Sequence, residues 1–329
     1  MRVSVVDAGS NTVRLVVADS EGGLPLPVHT MKWKLRLSQQ IEPDGSLADS
    51  AVNQLIEAVA AARDEARSWS AAAPRSFATA VVRDATNRAD ILRAVLAKTG
   101  VPLRTLPGEL EAELTFLAAR RWMGWRAGSL AVLDIGGGSL EVAFGRGRLP
   151  GFAVSLPLGA HYLTEKHLGT GDPPTPADLK ALRRKVRHEL RDVAARIRWE
   201  NPAAVAVTSR TFQQLARLCG AAPGRQGVFV HRSMDRADLR AAIDTLAALP
   251  AAERAQLPGI SRPRARQSLA GAVIGHTAMK LMGLRTVTVC PWALREGVLL
   301  RCIEDGPEWW DTLHVAGTAT AATGSLHLA

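Results

Sequence analysis

The sequence predicts an α/β fold built twice over, with the functional site in the cleft between the two copies, and three observations carry that prediction. The segments Asp7-Ala8-Gly9-Ser10-Asn11-Thr12 and Asp134-Ile135-Gly136-Gly137-Gly138-Ser139 are one device written twice. In each, an apolar run (Val3 to Val6; Leu130 to Leu133) ends in an aspartate, turns on small residues and enters a second apolar run (Val13 to Ala18; Leu140 to Phe144). The order strand, strand, strand, helix, strand, helix then recurs in each half, as layered α/β units require. A length of 329 residues also suits two domains better than one core.

The first half opens with a meander of strands at 3–8, 12–19 and 25–37, apolar runs separated by Gly, Asn and Pro turns. Leu47 to Trp69 carries apolar residues at helical spacing and is an amphipathic helix. Arg75 to Ala80 is a strand, Arg83 to Gly100 a helix, Leu103 to Leu106 a short strand and Gly108 to Trp122 a helix. The second half restarts with strands at 129–133, 140–146 and 151–156. Helices follow at 158–168, 176–199, 210–218, 234–247, 263–282 and 293–304, with short strands at 203–207 and 285–289. Abundant Ala and Arg favour these helices, and Gly169 to Pro176 is a loop by its Gly, Asp and Pro content. The domains are expected at 1–125 and 126–310, the final helix at 293–305 packing back on the first. From Val315 to Ala329 the chain is low in complexity and expected to be a disordered tail.

Composition is that of a globular protein, 47% hydrophobic and 22% charged. Cys219, Cys290 and Cys302 form no CxxC and no even framework, so reduced thiols and a cytoplasmic location are expected. A core strand begins at Val3, which argues against a signal peptide, and no apolar stretch is long enough to span a bilayer. The net charge of +10 favours polyanionic partners such as polyphosphate or nucleotides with long phosphate tails. Helix-turn-helix, zinc-finger and base-stacking patterns are missing, which excludes specific nucleic-acid binding from the expectations.

Small residues in a tight turn let successive N–H groups converge on phosphate oxygens. An aspartate at each strand end, Asp7 and Asp134, is an oxygen ligand suited to Mg2+, which takes one or two carboxylates and keeps several waters. Four further segments bear on such a site. Arg83 follows a strand and suits a phosphate clamp, or pairs with Asp84 on the surface. In Gly108-Glu109-Leu110-Glu111-Ala112 the glutamates stabilise a helix start, or Glu111 positions and deprotonates water. Glu141 either faces solvent by strand alternation or reaches the metal. Thr208-Ser209-Arg210-Thr211 is a helix start that suits an anion or a plain Ser209 cap. Lys32, Lys34 and Arg36 alternate along the third strand and share a face, either solvated or a track for polyphosphate.

Together these segments resemble the exopolyphosphatase / guanosine-pentaphosphate phosphohydrolase (Ppx/GppA) family, which has the actin-like, ribonuclease H-like fold of sugar kinases and heat-shock ATPases. The matching stretches are D-A-G-S-N-T, A-V-V-R-D-A-T-N, G-E-L-E-A, D-I-G-G-G-S-L-E, S-L-P-L-G-A, the block at 253–272 and L-R-E-G at 294–297. The resemblance implies hydrolysis of a terminal phosphoanhydride with Mg2+, or Mn2+ in its place. It implies Asp7, Asp134 and Glu141 as metal ligands, with Glu111, Asp134 and Glu141 catalytic. Ser10, Asn11, Thr12, Arg83, Gly136, Gly137, Gly138 and Ser139 would hold phosphate, and Arg210 would join the track. Leu110, Leu140, Arg210 and Arg266 depart from the family pattern. The expected substrate is inorganic polyphosphate, with guanosine pentaphosphate as the alternative and binding without turnover as a further one. A homodimer is expected, and no membrane partner.

Overall fold

The computed structural model describes residues 2–318 apart from 20, 22, 24, 170 and 307. It forms two compact units, one comprising residues up to Thr105 together with those from Val298 on, the other Leu106–Gly297.

In the first unit β1 (Arg2–Ala8), β2 (Thr12–Asp19) and β3 (Pro27–Lys34) form the meander. They are followed by α1 (Asp49–Ser68), β4 (Arg75–Ala78), α2 (Ala80–Arg83), α3 (Arg88–Thr99) and β5 (Leu103–Thr105). The sheet order is β3-β2-β1-β4-β5, with β4 parallel to β1 and β5 parallel to β4. Helix α1 buries Ala51, Leu55, Ala58, Val59 and Ala62, one stripe at helical spacing. That stripe joins Val6, Leu15 and Val17 of the sheet and Ile91 and Val95 of α3 in one core.

The second unit contains α4 (Gly108–Met123), β6 (Leu130–Ile135), β7 (Leu140–Gly145), β8 (Phe152–Leu156), α5 (Ala160–His167) and α6 (Pro176–Glu200). Next come β9 (Ala204–Thr208), α7 (Ser209–Leu218), β10 (Ser233–Asp235), α8 (Arg236–Ala248), α9 (Ala251–Arg254), α10 (Ser268–Leu281) and β11 (Thr286–Val289). Its sheet order, β8-β7-β6-β9-β11-β10, repeats that of the first unit and adds β10 at the edge. Helix α11 (Leu294–Glu304) begins in the second unit and ends in the first, where α12 (Glu308–Thr318) also lies. Both units therefore have the same three-strand meander followed by two strands parallel to β1 or β6, the actin-like duplication.

Several elements differ from the sequence reading. The helix expected over 83–100 is two, because Asn87 exchanges side-chain hydrogen bonds with the backbone N–H (3.0 Å) and C=O (2.9 Å) of Leu47. The third strand spans 27–34, not 25–37, and the helix expected over 263–282 starts at Ser268, after a 3-10 turn at Arg262–Arg264. The divide falls at Leu106 rather than 125 because α4 gives its apolar face to the second sheet. There Ala112, Phe116 and Ala119 share a core with Leu130, Val132, Ala143 and Trp292. Residues 315–318 close α12 instead of starting a tail, and the rest of the expected tail, 319–329, lies outside the described residues. The three cysteines are unbridged. Among the described residues no helix is long and apolar enough to cross a membrane.

Candidate active site

The second hairpin presents a row of functional side chains across neighbouring strands. In register, Ser155 of β8 faces Glu141 of β7, Glu141 faces Asp134 of β6, and Asp134 lies beside Thr208 of β9. Register partners share a face of the sheet, and the Ser155 hydroxyl donates to Glu141 Oε1 at 2.8 Å. Thr208 Oγ1 is anchored by donating to the Trp292 carbonyl at 2.7 Å. Glu141 is only 6% exposed, and so is Glu111. A buried carboxylate costs several kcal/mol unless it is partnered, so both positions are built with purpose.

Glu111 belongs to the first turn of α4. A Cβ on Gly108, three residues earlier, would lie 2.3 Å from Ser155 Cβ. Only glycine permits that approach, which lays the start of α4 on β8 at the residue that bonds Glu141. At its other side α4 meets Gly297, where a Cβ would lie 2.0 Å from the Leu114 carbonyl oxygen.

The turn between β6 and β7 is clamped by its carbonyls. Gly159 N–H donates to Gly138 (3.1 Å), Ala160 N–H to Gly136 (3.0 Å), and the N–H groups of His161 and Tyr162 to Gly137 (3.0 Å each). With its acceptors spent on α5, the turn has the Gly137 and Gly138 N–H groups left as donors, a composition suited to an anion. A Cβ on Gly159 would lie 2.2 Å from the Gly137 oxygen, so the glycine in S-L-P-L-G-A serves backbone-to-backbone contact.

The first hairpin repeats the construction. Leu35 and Arg36 N–H donate to Asn11 O (3.1 Å each) and Ser38 N–H to Ser10 O (3.0 Å), again the segment after the third strand. Its cross-strand row differs in charge: Asp7 faces Arg14, and Arg14 faces Lys32. Where the second unit has Glu141 and Ser155, the first has two cations. Thr79 N–H donates to Ala8 O at 3.2 Å, which sets α2 and Arg83 beside the end of β1. Arg83, 17% exposed, holds Asp84 at 3.1 Å, so the surface-pair reading describes part of its bonding. Lys34 opposes Thr12 across the ladder. Arg36 lies past the end of β3 in left-handed conformation, φ 55°, so strand alternation does not set its face.

Arg210 is in the first turn of α7, next to Ser209, which holds φ at +79°, a region that favours glycine. Arg264 is a cation that sequence reasoning missed. Burial and the neighbouring Arg210 lower its proton affinity, and Asp134 opposes both; as an arginine it stays charged. Two sequence departures have structural roles instead. Leu140 is fully buried in the main core of the second unit, and Arg266 bonds Glu165 and the Gly169 carbonyl, 3.0 Å each.

Among the described residues no three or more His, Cys, Asp or Glu gather into a metal-holding cluster. The paired carboxylates of Asp134 and Glu141 with nearby hydroxyls are hard oxygen donors in the number that Mg2+ takes when phosphates and waters complete its shell.

The chain is similar to known proteins over most of its length. An uncharacterised Streptomyces coelicolor protein is 69% identical over 94% of this chain and 93% of its own. Exopolyphosphatase 1 of Mycobacterium tuberculosis is 41% identical over 99% of this chain and 93% of its own. The crystal structure of an Aquifex aeolicus Ppx/GppA family member superposes with a TM-score of 0.80 at 25% identity, covering 93% of this chain and 98% of that one. A Cytophaga hutchinsonii exopolyphosphatase, 20% identical, shares the fold with a TM-score of 0.83 over 93% of this chain and 99% of its own. With the family model matching residues 16–305, the chain belongs to the Ppx/GppA phosphatase family.

Proposed function

We propose that the chain is an exopolyphosphatase, a phosphoanhydride hydrolase that removes the terminal phosphate of inorganic polyphosphate as orthophosphate. The observation that carries this reading is the row Ser155, Glu141, Asp134, with the start of α4 that bears the buried Glu111 packed on Ser155 through Gly108. The likeness to mycobacterial Exopolyphosphatase 1 supports polyphosphate as the substrate.

In this reading the Gly137 and Gly138 amides and Ser139 bind the terminal phosphates, with Gly136 shaping the turn and Ser10, Asn11 and Thr12 binding from the first hairpin. Arg83 clamps the chain, and Lys32, Lys34, Arg36 and Arg210 take its tail. Glu111 orients a water in line with the terminal phosphorus and accepts its proton as the new P–O bond forms and the bridging P–O bond breaks. The electron pair leaves with the shortened polyphosphate. Ser155 fixes the carboxylate of Glu141 so that it faces Asp134. Asp7, Asp134 and Glu141 would hold Mg2+ or Mn2+, which supplies charge neutralisation at the phosphoryl oxygens when bound.

Purified protein with Mg2+ and tripolyphosphate or longer chains is expected to release orthophosphate. Glu111→Gln is expected to lower kcat by ~10²–10⁴ while leaving KM nearly unchanged. Wild-type turnover in that variant would remove Glu111 from the mechanism. A higher kcat/KM for guanosine pentaphosphate would move the assignment to the nucleotide. Tight, salt-sensitive binding without phosphate release would make the chain a binding protein.

A further inference from the structure

Helix α6 is the longest helix described, 25 residues, and it starts from a capping box in which Thr175 and Asp178 bond reciprocally, with Pro176 in the first turn. One face, Leu182, Val186, Leu190, Ala194 and Ile197, is buried in the core. Beside that face runs a groove of about 500 Å³ lined by Arg184, Arg187, His188, Arg191 and Arg198, together with Ala194, Ala195 and Leu281 of α10. The basic positions recur at intervals of three, four and seven residues, so they form one stripe along the helix. From Arg184 to Arg198 it extends about 21 Å at 1.5 Å per residue.

The acids of α6 do not neutralise this stripe. Glu189 is spent on Lys185 and Glu200 on Arg196, and only Arg191 is paired, with Asp192 at 2.9 Å. Arg184, Arg187 and Arg198 have no carboxylate in bonding range among the described residues. The groove also lies away from the glycine turn. Gly271, near the start of α10, packs on Thr211 beside Arg210, whereas Leu281 is ten residues further along, about 15 Å.

We propose that this α6–α10 groove is a second polyanion-binding site, an exosite for the distal part of an inorganic polyphosphate chain whose end is in the active site. The substrate class rests on the function proposed above; the groove itself rests on its own geometry and charge. Its polar lining is four arginines and His188, with no Phe, Tyr or Trp and no carboxylate or side-chain amide, so it is built for charge rather than for reading base edges, and a repeating anion is the occupant its charge fits. A triphosphate is too short to occupy both sites, whereas a long chain gains the affinity of a linked second contact.

The test is the triple variant Arg184→Glu, Arg187→Glu, Arg198→Glu, at exposed helical positions where Glu is as good a helix former as Arg. Circular dichroism and the melting temperature check its fold. KM for long-chain polyphosphate is expected to rise by ~10²-fold, the low end of the gain from linking two contacts, with KM and kcat for tripolyphosphate unchanged. Direct binding of fluorescent long-chain polyphosphate, read in the Glu111→Gln background without turnover, is expected to weaken by the same factor. Unchanged long-chain binding, or equal losses on long and short substrates, would overturn the exosite while the hydrolase reading stands. If the wild type hydrolyses no polyphosphate, the hydrolase reading fails, and the binding assay still decides whether the groove holds the chain. Single-stranded RNA that competes at equal charge concentration, with the same loss in the triple variant, would reassign the groove to nucleic acid.

Discussion

Gly159 and Gly108 hold the candidate site together by what they lack. At Gly159 a methyl group would enter the Gly137 carbonyl, which is backbone and cannot rotate away, so Gly159→Ala must shift either the turn or the start of α5. Overpacking of this kind costs about 1–3 kcal/mol. The larger expected effect is on turnover: displaced donor amides should lower kcat/KM on tripolyphosphate by about 10²-fold, as loss of a preorganised donor does. Steady-state kinetics beside a melting curve separates the two effects, and wild-type kinetics in Gly159→Ala would show that the contact is not needed. Neither glycine's role was legible in the sequence, where S-L-P-L-G-A and G-E-L-E-A read as helix starts. Ser155, 14 residues from Glu141, and Arg264, 130 from Asp134, were also invisible, because they meet the site only through tertiary folding. Asp7 and Asp134 stood out by contrast, since acids between apolar runs and small-residue turns need an explanation locally, whereas Glu111 and Glu141 had plain structural alternatives and were singled out only by the family resemblance.

Among the elements the sequence reading left out, α12 is the longest. Trp310, 4% exposed, packs its ring 6.5 Å from Phe77, and the Arg104 guanidinium lies 5.2 Å over that ring. Arg104 also donates to the Trp310 carbonyl, and Arg301 covers Trp309 at 4.8 Å. Trp310→Ala is expected to destabilise the first unit by about 3–5 kcal/mol, the usual cost of emptying a buried aromatic site; urea unfolding followed by far-UV circular dichroism measures it, and a loss below about 1 kcal/mol would show that α12 is not a structural part of the unit. The meanders and long helices were legible because periodicity is local. The break at Asn87, the edge strand β10 and the allegiance of α4 were not, because each is decided by a partner distant in sequence. Helix α4 has an apolar face whichever sheet it covers, and only the fit of Phe116 and Ala119 against β6 and β7 assigns it.

For the whole molecule, the net charge of +10 sets up a field that gathers polyanions before any specific contact forms. Such steering raises association rates by 10–10³-fold and fades with salt, as the screening length falls from about 30 Å at 0.01 M to about 8 Å at 0.15 M. At fixed Mg2+, kcat/KM for long-chain polyphosphate is therefore expected to fall several-fold over that range of salt, more steeply than for tripolyphosphate. Parallel salt profiles for the two substrates would show that the charge serves another purpose.

The clamped turn between β6 and β7 has an evolutionary consequence. In the proposed function its phosphate donors are main-chain amides, and every residue except proline supplies one, so no ordinary point substitution would delete that contact. On that reading, divergence in substrate choice proceeds through side chains, near the turn at positions such as Arg210 and Arg264 and away from it along the α6 stripe. An inhibitor anchored on the glycine amides would give resistance few places to start, because most substitutions that disturb the anchor also disturb the substrate.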